Sequence, residues 1–346
     1  MTCKTLTCKT SASHLAAVGG QRSSAASLSP VRRTSFPLRT LYVHHPVALQ
    51  HELGPGHPER PERLLAIEKV LETEVFANLE RVTAPRGARE AILRVHPAEY
   101  LDAIEMAAPR EGYARLDGDT VMNASTLEAG LHALGGACLA VDEIMSGRAD
   151  NAFVAMRPPG HHAERATAMG FCFFNNAAIA ARHAQAVHGA ERVAIMDFDV
   201  HHGNGSQDIF WADPTVMYAS THQMPLYPGT GARNERGDFD TIVNAPLRAG
   251  DGGDVFREAM ETTILPRIKA FRPDLILISA GFDAHHRDPL ANLRFVEDDF
   301  GWATVKLMEI ADRHANGRVV SCLEGGYDLE GLAKSAGVHV RRLMGA

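Results

Sequence analysis

No apolar run in this 346-residue chain approaches the ~20 residues that a membrane-crossing helix needs, so no membrane partner is expected. There is no basic surplus either. Lys and Arg number 35 against 42 Asp and Glu, a formal net charge of -7. General nucleic-acid binding needs a basic footprint, and that class is excluded. The five cysteines (Cys3, Cys8, Cys138, Cys172 and Cys322) are odd in number and form no Cys-x-x-Cys pair. This argues against a disulfide framework and against a cysteine zinc cluster, and fits a reducing compartment such as the cytoplasm. No internal repeat and no linker divides the chain.

Carboxylates are missing from residues 1–39. That segment carries six basic residues: Lys4, Lys9, Arg22, Arg32, Arg33 and Arg39. Without them 29 basic residues face 42 acidic ones, a net -13 for the remainder. Rich in Ser and Thr, it reads as a disordered tail. A transit peptide for organelle import, which is Arg- and Ser-rich and acid-poor, is the other reading. No continuous apolar stretch supports a secretory signal.

What remains has the balance of a soluble globular protein, 45% apolar and 22% charged. Apolar runs at 41–43, 151–156, 192–196, 215–221, 274–283 and 318–323 read as strands. Helical patterns fall near 61–79, 97–107, 125–146, 176–188, 254–271 and 297–315, and a last helix closes the chain. The alternation predicts one α/β domain over 40–346, a three-layer α/β/α with a mostly parallel sheet. In such sheets, sites form beyond the strand carboxyl ends. His161-His162, Asp199/His201, Ser220/His222, Asp283 and Tyr327 are all predicted there.

The 18 histidines are unusual in quantity, and two of them stand in the stretch that organises the chain. Asp197-Phe198-Asp199-Val200-His201-His202-Gly203-Asn204-Gly205 follows the run 192–196. Strand alternation turns Asp197, Asp199 and His201 one way and Phe198, Val200 and His202 the other. Asp199, His201 and Asp283 make a coherent metal set. Two carboxylates and an imidazole suit catalytic zinc, which keeps a position open for water and substrate. Iron, cobalt or manganese also suit donors rich in oxygen and free of thiols. Singly, such residues are better read as a capping Asp and a packed His; as a set they point to a metal.

His161-His162 follow the rigid turn Arg157-Pro-Pro-Gly160. Imidazoles titrate near neutral pH, so the pair can take a proton from water and return it to a leaving amine. Two solvent-exposed loop histidines are the plain alternative. Asp197 is placed to orient one ring and Asn204 to contact the other. Tyr327, after two glycines, can donate to a developing oxyanion; otherwise it is a packed tyrosine at a turn. Phe171 lines a narrow apolar tunnel or belongs to plain core. Cys172 reads as a small core residue rather than a nucleophile.

Seven segments stand in order across about residues 40–346: His57-Pro-Glu-Arg-Pro-Glu-Arg63, Arg157-Pro-Pro-Gly-His-His162, Gly170-Phe-Cys-Phe-Phe-Asn-Asn176, Asp197 to Gly205, Tyr227-Pro-Gly-Thr-Gly231, Ser279-Ala-Gly-Phe-Asp283 and Glu324-Gly-Gly-Tyr-Asp-Leu329. Together they resemble the histone deacetylase superfamily, most closely its class II-like and bacterial members. The resemblance implies the arginase/deacetylase fold and Zn2+-dependent hydrolysis of an acyl amide. The expected substrate is acetyl-lysine in a protein or peptide.

It further implies zinc held by Asp199, His201 and Asp283, His161 oriented by Asp197, His162 as the acid for the leaving amine, and Tyr327 at the acyl carbonyl. Gly170, Phe171 and Leu290 would line the tunnel; Asp117 and Asp119 are candidates either for rim acids that suit a polyamine or for anchors of a peptide backbone. Family members also bind monovalent cations such as K+. One such site would use Asp197, Asp199, His201, Ser220 and Thr221, and a second would lie near Phe210, Asp213 and Val216. Asn204 stands where class I members carry Asp, which should leave the second histidine less basic. Tyr327 stands where some class II enzymes carry His, which favours an active deacetylase. The rival readings are a deacetylase of acetylpolyamines or other small acetylated amines, a non-catalytic acyl-lysine binding module, and an arginase-like binuclear manganese hydrolase. Gly203 and Asn204 speak against the last, because metal-bridging acids would be useful there. Monomer and oligomer both stay open.

Overall fold

The structure is a computed structural model that describes residues 38–346. The tail expected at 1–39 lies, up to residue 37, outside the described residues. In chain order the described residues form β1 (Thr40–His44), α1 (Glu62–Leu71), β2 (Glu80–Thr83), α2 (Arg89–Leu93), α3 (Ala98–Ala107), β3 (Tyr113–Arg115), β4 (Val121–Asn123), α4 (Thr126–Met145), β5 (Asn151–Val154), α5 (Asn176–His188), β6 (Val193–Asp197), α6 (Asn204–Phe210), β7 (Val216–Gln223), β8 (Ile242–Leu247), α7 (Gly253–Ala259), α8 (Leu265–Phe271), β9 (Leu275–Ala280), α9 (Glu297–His314), β10 (Val319–Leu323) and α10 (Leu329–Leu343).

Eight strands make one sheet in the order β2-β1-β5-β10-β9-β6-β7-β8, with every neighbouring pair parallel. Among the strands of the described residues, β3 and β4 alone pair antiparallel, as a separate hairpin. The central strands are continuous apolar runs because both faces are covered by helices. Each residue of β6 and β9 is buried. Among the described residues no helix is long and apolar enough to cross a membrane.

An aromatic floor lies under the loops that leave β6 and β9. Phe198 packs 6.0 Å from Phe282 and 5.7 Å from Phe300, centroid to centroid. Burying each such ring is worth roughly 1.5–3 kcal/mol. His339 joins this floor as a satisfied core histidine, bonded to Thr304 at 2.7 Å and Ser321 at 2.8 Å. Burial pushes its pKa down to about 3.

Four local differences from the sequence expectation have physical reasons. The helix expected over 61–79 ends at Leu71, because Thr73 takes extended backbone and a separate turn starts at Glu74. The helix expected over 254–271 widens into a π turn at Met260–Ile264, next to Pro266, which has no N–H to continue the ladder. β2 and β8 are edge strands with polar or proline residues; an edge tolerates Pro246 where a central strand would not. Finally, β6 ends at Asp197, so alternation does not carry Asp199 and His201 to their places. Two consecutive aspartate turns do: Asp199 N–H donates to Asp197 Oδ1 at 3.1 Å, and His201 N–H donates to Asp199 Oδ1 at 2.9 Å.

Candidate active site

β5, β10, β9, β6 and β7 are consecutive in a parallel sheet, so their carboxyl ends share one edge. The loops beyond that edge carry His161 and His162, Tyr327, Asp283, and the Asp197–Gly205 stretch. This is where open α/β sheets build sites.

The structure brings Asp199, His201 and Asp283 together. His201 Nδ1 lies 3.2 Å from Asp199 Oδ1 and 3.1 Å from Asp283 Oδ2. Donors at the corners of a tetrahedral site with ~2.0–2.1 Å bonds stand about 3.3 Å apart, so the set fits one divalent ion. The outer carboxylate oxygens are held: Gly325 N–H donates to Asp199 Oδ2 and Val200 N–H to Asp283 Oδ1, each at 2.8 Å. Room for the carboxylates depends on missing side chains. A Cβ on Gly281 would come within 1.9 Å of Asp199 Oδ2. Burial disfavours charge on His201, yet hydrogen bonds to Asp199 and Asp283 outweigh it and lift the imidazole to about 10. The pocket thus concentrates negative charge that calls for a cation.

The two histidines of the 161–162 pair have unequal partners. His161 Nδ1 bonds Asp197 Oδ2 at 3.0 Å, and His162 Nδ1 bonds Asn204 Oδ1 at 2.8 Å. Burial opposes charge on both rings. Asp199 and Asp197 overcome it for His161, whose pKa rises well above the ordinary value. Nothing overcomes it for His162: burial and the positive fields of His161 and His201 hold its pKa well below. The two rings therefore lean in opposite directions, His161 toward the charged form and His162 toward the neutral one. Glu324 fixes their loop, accepting from the backbone N–H of Gly160 at 2.7 Å and of His161 at 3.1 Å. His202 faces away, bonded to Thr230 and Gln207.

The segment 57–63 now has a physical role. Glu59 is fully buried between Arg157 and Arg63. Arg63 donates to the carbonyls of Gly326 at 2.7 Å and Glu324 at 2.5 Å, and its guanidinium lies 4.9 Å over the Tyr327 ring. The triad clamps the loop that presents Tyr327. From the other side, Tyr327 N–H donates to Asp288 Oδ2 at 2.7 Å. Burial raises the Tyr327 phenol well above its ordinary pKa, so it stays a neutral donor.

Phe171 adopts a left-handed backbone, φ 68°. Its ring stands edge-on to His57 at 4.7 Å and to Tyr327 at 6.0 Å. Gly170, also left-handed, lies against His162, where a Cβ would come within 2.5 Å of Cδ2. Asp119 sits on the β3–β4 turn, where Thr120 Oγ1 donates to it and in turn accepts from Phe171 N–H at 3.1 Å. Leu290 is linked to the site through Asp288, whose Oδ1 accepts its N–H at 3.0 Å. Cys172 is buried and free. Of the residues expected around monovalent cations, Asp197 and Ser220 are register partners on β6 and β7, Ser220 Oγ bonds His222 Nδ1, and the Asp213 carboxylate pairs with Arg182.

Three participants had no assigned role in the sequence. Tyr227 lies 5.2 Å from His162 and 6.3 Å from His201, opposite nothing that its sequence position reveals. Glu164 accepts from Asn204 Nδ2 at 2.8 Å. Asp288 anchors Tyr327. The signal for Glu164 was there, two residues beyond the histidine pair.

A histone deacetylase domain family model matches residues 57–343. The probable deacetylase of Archaeoglobus fulgidus is 40% identical over 296 residues, covering 84% of this chain and 81% of that protein. The histone deacetylase-like amidohydrolase of Pseudomonas aeruginosa is 39% identical over 312 residues, covering 86% and 82%. The crystal structure of the HDA15 HD domain superposes with a TM-score of 0.85 at 36% identity, over 89% of this chain and 90% of that one. With its parallel sheet and its loops at one edge, this chain belongs to the histone deacetylase family of hydrolases and has the arginase/deacetylase fold.

Proposed function

We propose that residues 40–346 form a Zn2+-dependent deacetylase acting on acetyl-lysine in a protein or peptide. The observation that carries this reading is the meeting of the Asp199/His201/Asp283 donors with two imidazoles of opposite protonation preference. Bound zinc supplies a Lewis acid for the amide carbonyl and makes a nearby water easier to deprotonate.

The chain's own groups do the rest. Asn204 holds the His162 proton on Nδ1, which leaves Nε2 free to accept a proton from water and then hand it to the departing amine. His161, whose charged form Asp199 and then Asp197 favour, suits negative charge developing beside it. Tyr327 Oη donates to the carbonyl oxygen as that oxygen gains charge. Phe171 and Tyr227 cover the approach and keep bulk water out. Asp117 spends its Oδ1 on the N–H groups of Asp119 and Thr120, and burial, then Asp117, disfavours charge on Asp119. These half-exposed carboxylates can hold either a peptide backbone or a diamine, so an acetylated diamine stays the second reading. Substituting His162→Ala or Tyr327→Phe should cost on the order of 10²–10³ in turnover with metal retained. Near wild-type turnover in both variants would overturn these roles.

A further inference from the structure

Away from the catalytic edge, a second group of ligating side chains closes on one point. It lies between the end of α4 and the end of α5. Asp142 Oδ1 stands 2.7 Å from His183 Nε2 and 2.7 Å from His188 Nε2. The three donor atoms lie within 4.8 Å of one another. All three side chains are partly exposed, at 38%, 13% and 20%, so an ion can reach them. A surface hollow of about 180 Å³, which Asp142, His183 and Arg94 help to line, opens beside them.

We infer that Asp142, His183 and His188 form a second cation site that takes a divalent transition ion such as zinc, nickel or copper. Two imidazoles and one carboxylate select such ions over magnesium or calcium, which prefer all-oxygen sets. The two separations from Asp142 are shorter than the about 3.3 Å of a tetrahedral site, so each ring backs away from that carboxylate by about 0.6 Å when an ion enters. The hollow leaves room for water as a further ligand.

Binding also changes the rings' tautomers. In the ion-free arrangement both Nε2–H groups donate to Asp142. With an ion on Nε2, each ring carries its proton on Nδ1. For His183 that atom faces Arg94, which stands 3.2 Å away and can only donate. Arg94 must swing out, so it competes with the ion. The site is accordingly weaker than the buried catalytic one.

The alternative is a hydrogen-bonded staple between α4 and α5 that binds nothing. Asp142→Asn separates the two, because its amide oxygen still accepts both N–H groups but brings no charge. The experiment is equilibrium dialysis of zinc-loaded full-length protein against added Zn2+ or Ni2+. It compares wild type, Asp142→Asn and His183→Gln/His188→Gln, with thermal midpoints as a check on folding. The difference between wild type and variants counts this site alone, whatever the catalytic pocket holds. The expected result is one extra ion in wild type, lost in both folded variants, and bound several-fold more tightly in Arg94→Ala. No extra ion in wild type, or an extra ion that survives in the variants, would overturn the site.

Discussion

His162 Nδ1 and Asn204 Oδ1 are 2.8 Å apart, and the other end of the same amide donates to Glu164 at 2.8 Å. The second contact decides the first. With Nδ2 committed to Glu164, Oδ1 must face His162 as an acceptor, so the ring proton sits on Nδ1. His161 differs in having a carboxylate, Asp197, at the same place.

Replacing Asn204 by Asp tests this asymmetry through pH. His162 must be neutral to accept a proton, and its pKa is depressed, so activity should persist below the usual imidazole range. A carboxylate beside Nδ1 favours the charged ring and raises that pKa by about 1–3 units. The acid limb of kcat/KM should therefore move to higher pH in Asn204→Asp. A profile that stays in place would separate His162 from the proton transfer.

Glu164 is a positioning residue in this account. Glu164→Ala frees the Asn204 amide to turn and should lower kcat on the order of tenfold. Glu164→Gln keeps an acceptor for Nδ2 and should stay close to wild type. Equal losses in both would point to charge rather than orientation, and no loss in either would remove Glu164 from the site.

The clamp behind Tyr327 is a matter of stability. Glu59→Ala leaves two fully buried guanidinium groups, Arg157 and Arg63, without their carboxylate. Breaking such a buried set costs roughly 3–5 kcal/mol, a large share of a typical folding free energy. Denaturant unfolding should show that loss, and a change below about 1 kcal/mol would mean the arginines find other partners.

Much of the site was legible because its chemistry is local in sequence. Asp197 to Gly205 lies in one loop, and the pattern of apolar runs placed that loop at a strand end. The reason given for the convergence was wrong in detail, since turns rather than strand alternation aim Asp199 and His201. What the sequence hid depends on tertiary approach. Asp288 meets Tyr327 across 39 residues, and Glu59 meets Arg157 across 98. No periodicity records such pairs. β8 was missed because Asn244 and Pro246 argue against a strand, and only its edge position permits them.

The central claim is that Asp199, His201 and Asp283 hold a zinc ion that His162 and Tyr327 use to cleave an acetyl-lysine amide. The most direct test is turnover of acetyl-lysine peptides and acetylated diamines by the full chain, as purified, after chelation, and after zinc is restored. The account predicts peptide deacetylation that chelation abolishes and zinc restores, with Asp283→Ala not restored. Peptide turnover that survives complete metal removal, or hydrolysis of diamines with none of peptides, would contradict it.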